Sequence, residues 1–284
     1  MSAVPLVHSR PSPRTRRLPL APAVAGLVLA AVTLAALSPS VVAPGDPLHI
    51  DLVQMHAHPS LRHPFGCDQL GRDVWTRVVH GTRQSLAIGA AATALAVVIG
   101  VPLGLLAGLG NRVADTLLSR VFDLMGAFPE ILLALVLIAI TGRGTGNVVL
   151  AIGIAAAPRF ARVMRTDTRL VARADHVLAA RLLTRSRTRI VLRHILSNAV
   201  GALPVLVTLG LGTSILGAAA LSFLGFGTQP PTPEWGSMLA ESRDDLRIAW
   251  WAVFFPGVAV TATVVATTVL GRTAQRRFEN RVSA

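Results

Sequence analysis

Six stretches of this chain are apolar for long enough to cross a bilayer: Leu20 to Val42, Leu86 to Leu109, Leu117 to Ile140, Val148 to Met164, Ala199 to Leu221 and Trp250 to Leu270. A helix needs roughly 20 residues to traverse a hydrocarbon core of about 30 Å, and the fourth stretch is the shortest of the six. With 52% hydrophobic residues in 284 and a mean hydropathy of +0.59, the chain reads as an all-α polytopic membrane protein with six transmembrane helices, not a soluble domain. The pattern divides it into an N-terminal tail (1–19), a first span (20–42), an outer loop (43–85), a five-span core (86–271) containing a long polar loop (165–198), and a C-terminal tail (272–284). Arg16 and Arg17 ahead of the first stretch also suit a cleaved signal, but the run is long for one and counts as a span.

Charge sets the orientation. Of the 27 basic residues, 20 fall in the two tails and in alternate loops, ten of them between Arg159 and Asn198; the remaining seven lie on the opposite side, nearly balanced by acids. The positive-inside rule therefore places both termini and the Arg159 to Asn198 region in the cytoplasm. A net charge of +13 would suggest nucleic acid in a soluble domain, but these arginines flank apolar spans, aromatics are only 5% and tyrosine is absent. Nucleic acid is not an expected partner; membrane lipid is.

All 27 basic residues are arginine, which excludes chemistry that needs lysine. A phosphate loop of the GxxxxGK[ST] type requires its lysine, and a Schiff base requires one too, so any ATP that drives this protein is hydrolysed by another subunit. Cys67 is the sole cysteine, which rules out an intrachain disulfide or a cysteine metal cluster. His49, His56, His58 and His63 in the outer loop lack the fixed spacing of a metal site and read as solvated. GxSxG, HExxH and paired intramembrane aspartates are all missing, so the chain is not expected to be an enzyme or to bind a cofactor.

Within the spans, Gly100, Gly104 and Gly108 recur every four residues and so share a helix face that lets a neighbour approach closely; Gly153 and Ala157 repeat the pattern. Pro102 and Pro129 are expected to kink their helices. Glu130 lies about midway along the third stretch, where a lone carboxylate is costly and should meet a polar partner or line a pathway that attracts a cationic group. Asp123 is expected to pair locally with Arg120. Trp235, Trp250 and Trp251 suit an interfacial belt, and Pro230, Pro231 and Pro233 stiffen the last outer loop.

Three segments carry a resemblance. HPFGCDQLGRDVWTRVVHGTRQSL (His63 to Leu86), DHVLAAR followed by IVLRHILSN, and LSFLGFGTQPPTPEWGSML (Leu221 to Leu239) occur in this order between the right spans. Together they resemble the inner-membrane permease subunit of binding-protein-dependent ABC importers, specifically the C-type subunit of the dipeptide, oligopeptide and nickel group. The likeness runs from about His63 to Asn280. It implies a type I ABC importer permease fold and partnership with a homologous second permease, two ATPase subunits that use ATP and Mg, and an extracytoplasmic substrate-binding protein. Peptides, nickel chelates or other small solutes are the implied cargo, with the binding protein supplying much of the selectivity.

The second segment resembles the EAA loop, which in such permeases docks into the ATPase. That likeness assigns the coupling role to Asp175, Val177, Leu178, Ala179, Ala180, Arg181, Thr184 and Arg185. Independently, Val171, Asp175, Leu178, Ala179 and Leu182 recur as one face of a short helix. Ala179 and Ala180 are small enough to seat in a groove, and Arg181 and Arg185 suit an acidic rim. Three positions depart from the pattern: Thr184 stands where glycine is usual, Ser197 where proline is, and Leu178 where the motif's name implies glutamate. A β-branched residue tolerates positive φ poorly, so the turn at Thr184 to Thr188 is expected to differ in shape. In the first segment, Gly66 and Gly71 belong to the motif, Gly71 permitting a turn, while Asp68, Arg72 and Asp73 are expected to satisfy one another or the donors that open the following helix. The alternative from another class is a secondary transporter driven by an ion gradient, for which only Asp123 and Glu130 would qualify as intramembrane acids.

Overall fold

The computed structural model describes residues 20–182 and 186–282, and these are helical throughout apart from turns and loops. The long helices are α1 (Leu20–Leu37), α2 (Val74–Leu109), α3 (Arg112–Gly126), α4 (Glu130–Thr141), α5 (Thr145–Ala172), α6 (Asp175–Leu182), α7 (Leu203–Phe223), α8 (Trp235–Ser242) and α9 (Trp251–Val282). Five helices, α1, α2, α5, α7 and α9, are long and apolar enough to cross a membrane. A sixth crossing exists only if α3 and α4 count as one broken span.

Two boundaries differ from the hydropathy pattern. Helix α2 begins at Val74 rather than Leu86, because Asp73 caps it by accepting from the Thr76 N–H at 2.8 Å. At 1.5 Å per residue its 36 residues extend about 54 Å, so a substantial part stands clear of the hydrocarbon. The expected third span is not one helix: α3 and α4 meet at 93° across residues 127–129. Pro129, expected to kink a continuous helix, instead precedes α4, since it cannot donate into a preceding turn and disfavours helix in the residue before it. Pro102, by contrast, sits within an uninterrupted α2.

The core of the bundle is α2 against α5. A Cβ on Gly100 would lie 2.6 Å from the Ala157 carbonyl oxygen, and one on Gly104 would collide with the Ala161 carbonyl. Absence of side chains on this face is thus what brings the two backbones together. Gly108 approaches Thr168 in the same way one turn further on. Ile88 and Ala92 on α2 join Ala134 and Ile138 on α4, Ile152 on α5 and Leu221 on α7 in one buried cluster. Helix α3 is clamped to α5 by Asp115, which pairs with Arg165 at 2.6 Å and with Arg169. The expected local pair of Asp123 with Arg120 does not form; Asp123 is exposed.

Candidate functional site

Three places bring together the residues singled out by sequence: a cap at one end of the bundle, the break between α3 and α4, and α6.

In the cap, residues 66–74 fold back on themselves. Asp68 N–H donates to the Arg72 carbonyl, Gly71 N–H to the Asp68 carbonyl and Val74 N–H to the Gly66 carbonyl, each at 3.0 Å. Gly66 and Gly71 take φ of 70° and 71°. A side chain on Gly71 would fall on the Asp51 carbonyl, and one on Gly66 would meet the Trp251 indole, so both glycines answer to conformation and to space. Asp68 then accepts from the Leu70 and Arg72 backbone and, at 2.7 Å, from Arg72 Nε. The expected mutual satisfaction of Asp68 and Arg72 is therefore present, but it is only half of the arrangement.

The other half comes from far along the chain. Arg72 Nη2 donates to Glu241 at 2.6 Å, and Arg77 Nη2 donates to the same carboxylate at 3.3 Å. Arg72 is 3% exposed and Arg77 1%. Two guanidiniums and two carboxylates thus neutralise one another out of water, joining the loop and the start of α2 to α8. Glu234, also buried, caps α8 by accepting from Gly236 and Ser237 N–H at 2.9 Å and from Ser85 Oγ at 3.2 Å. Burial pushes its carboxyl above the ordinary range, partly opposed by those two backbone donors.

Two tryptophans expected at the membrane interface are core residues. Trp235 donates from its indole to the Val78 carbonyl and Trp251 to the Cys67 carbonyl, both at 3.0 Å, and only Trp250 is exposed. Their buried N–H groups need a carbonyl partner, and the cap supplies one for each. Of the outer-loop histidines, His49 and His58 are exposed as expected, although His58 packs on Trp251, whereas His63 is half-buried with its Nδ1 2.9 Å from Asp73. Cys67 is fully buried, and burial, with Asp73, Asp68 and Asp51 nearby, pushes its thiol up to about 11.

Glu130 does not lie midway along a helix. It opens α4 at the break and lines an open cavity with Ile131, Ala134, Ile152, Thr213 and Leu216.

At the other end, α6 turns its Val177 and Ala180 inward against Ile190 and Ile195, with Leu109 at the end of α2 and Val171 at the end of α5 packed on the same cluster. Ala180 is thereby corrected from an outward-facing to an inward-facing residue. Asp175 and Ala179 are exposed. Leu178 and Arg181 lie within α6, whereas Thr184 and Arg185 fall outside the described residues. Beyond them a π-helical turn, Val191–Leu196, leads into Ser197, whose hydroxyl donates to the Arg193 carbonyl at 2.6 Å.

A bundle of apolar helices with a short exposed helix at one end and a locked cap away from it defines a polytopic membrane protein. Residues 100–284 match the family described as the binding-protein-dependent transport system inner membrane component. The chain belongs to that family. It is 44% identical to the dipeptide transport system permease protein of Alkalihalophilus pseudofirmus over 75% of this chain and 70% of that protein. It is 42% identical to the glutathione transport system permease protein of Pectobacterium atrosepticum over 78% of this chain and 74% of that protein. Among solved structures, the methionine ABC transporter MetNI in an inward-facing form matches with a TM-score of 0.58 at 20% identity, covering 71% of this chain and 96% of that one. The fold is that of a type I ABC importer permease, and none of these relatives points to an ion-gradient carrier.

Proposed function

We propose that this chain is one half of the translocation pathway of an importer for peptides or similarly small solutes in the inner membrane. A homologous permease forms the other half, two ATPase subunits bind and hydrolyse ATP with Mg on the cytoplasmic side, and an extracytoplasmic binding protein delivers cargo. This chain contributes no catalytic group and holds no cofactor. Both termini and α6 face the cytoplasm, where the arginine excess lies.

The observation that carries the coupling role is the two-sidedness of α6. Its outer face, Asp175 and Ala179, is free to seat in a partner groove, while Val177 and Ala180 rest on Leu109 and Val171. A push on α6 therefore reaches the ends of α2 and α5 directly. ATPase closure displaces α6 and rocks these spans to open the pathway outward; hydrolysis resets it. Arg181 and Arg185 meet acidic groups around the groove.

Ala179→Arg tests this role. The side chain enters open space, so folding is unaffected, but the groove is blocked. Copurification of the ATPase and ATP-driven uptake should both collapse; parental levels of both would remove α6 from the interface.

A further inference from the structure

The cavity at the break between α3 and α4 has a charge arrangement that helix packing does not explain. Its volume is about 300 Å³ and its wall is mostly apolar, with Glu130 and Thr213 as the polar residues. Glu130 is half-buried and has no hydrogen bond or ion pair among the described residues. Arg159 does not line the cavity itself but stands one hydrogen bond from it, its Nη2 donating to the Thr213 hydroxyl at 3.0 Å and its guanidinium carbon 5.5 Å from the Phe160 ring centre. Its Nε is shielded from solvent and has no hydrogen-bond partner among the described residues.

The two charges lie at similar depth along their helices. Helices α4 and α5 are joined by a turn of only three residues, 142–144. Counting back from that turn at 1.5 Å per residue, Glu130 lies about 17 Å along α4 and Arg159 about 21 Å along α5. Both are therefore deep in the bundle, where an ionised side chain is expensive unless it is paired or faces a wet cavity. Opposite charges at one depth would ordinarily pair with each other, but these do not. Interrupted intramembrane helices are also where transporters build their substrate sites.

We infer that this cavity receives a small zwitterionic solute in passage, Glu130 meeting its ammonium group and Arg159 its carboxylate. The guanidinium suits the second role because its fork can donate two parallel hydrogen bonds to a carboxylate while Thr213 holds it in place. A cavity of about 300 Å³ is at the small end of ligand sites and admits an amino acid or the ends of a short peptide. The inference rests on the importer reading above and narrows it to solutes that carry both charges.

The test uses the complete complex in proteoliposomes with alanyl-alanine as the probe. Uptake per ATP hydrolysed should fall about tenfold or more in Glu130→Gln and in Arg159→Gln, while Arg159→Lys keeps part of it. Gly217 offers a variant that does not perturb folding: it lines the cavity, and a Cβ there finds only Ile152 Cδ1 at 3.8 Å. A Gly217→Cys thiol should react with a water-soluble reagent, and alanyl-alanine at about twice its Kd should slow that reaction about threefold. Cys67 is buried and does not compete. Unchanged uptake in both charge variants, or labelling indifferent to alanyl-alanine, overturns the site while leaving the importer reading intact. A parent complex that takes up no peptide overturns the peptide reading instead, and protection of Gly217→Cys then decides the site alone.

Discussion

Glu241→Gln is the sharpest perturbation of the cap. The substitution keeps the shape of the side chain but removes one of two carboxylates that neutralise Arg72 and Arg77, at 2.6 and 3.3 Å. Both guanidiniums are almost fully buried, and Asp68 alone is left to balance them. Breaking one side of a buried pair costs about 3–5 kcal/mol, because the stranded charge has already lost its water. At 1.4 kcal/mol per factor of ten, even about 3 kcal/mol raises the population of the opened cap roughly a hundredfold. Cys67 reports that opening, since it is the sole cysteine and is fully buried beside Asp68. Its alkylation rate at fixed pH should therefore rise by about two orders of magnitude in Glu241→Gln. Arg243→Gln serves as the control, because the Arg243–Asp244 pair is largely exposed and contributes little. Alkylation of Glu241→Gln within twofold of the parent would refute the claim that this network holds the cap shut.

Four further outcomes follow from the same contacts. Raising the pH should weaken the cap: the folded Cys67 thiol ionises near 11 against an ordinary 9.0, so stability present below 9.0 is lost as pH climbs through that window, and Cys67→Ser should flatten the dependence seen in thermal unfolding. Gly104→Val should push α2 from α5 and cost about 1–3 kcal/mol or prevent folding, whereas Gly26→Ala, with nothing near its Cβ, should leave the melting temperature unchanged. Glu234→Ala removes the α8 cap and should cost about 1–2 kcal/mol in the same assay. Asp115→Asn loosens α3 from α5 but acts on partly exposed pairs, so its effect should stay within about 1 kcal/mol.

Much of the architecture is written locally. Apolar runs locate the five spanning helices and the bent α3–α4 pair, the four-residue glycine spacing gives the α2 and α5 contact, and Asp68, Arg72 and Asp73 sit close enough in sequence to predict one another. What was not legible depends on distance or on direction. Glu241 lies 169 positions from Arg72, and no spacing rule connects them. Hydropathy averages over the break at residues 127–129, because Phe128 and Pro129 are as apolar as the helices they separate. Trp235 and Trp251 look interfacial until Val78 and Cys67 supply carbonyls for their indoles. Periodicity identified α6 and the face shared by Asp175 and Ala179, but only packing shows that Val177 and Ala180 belong to the chain's own interior. Arg159 reads as a loop charge in the sequence, although it lies well inside α5 and reaches Thr213 on α7.

Reconstitution bears most directly on the central claim. The chain should be recovered with a second permease and two ATPase subunits, placed in vesicles with its binding protein, and supplied with labelled dipeptide. The account predicts uptake that requires both ATP and the binding protein and that disappears in Ala179→Arg while the spans remain folded. Uptake that persists without the ATPase, or follows an imposed ion gradient, would contradict it.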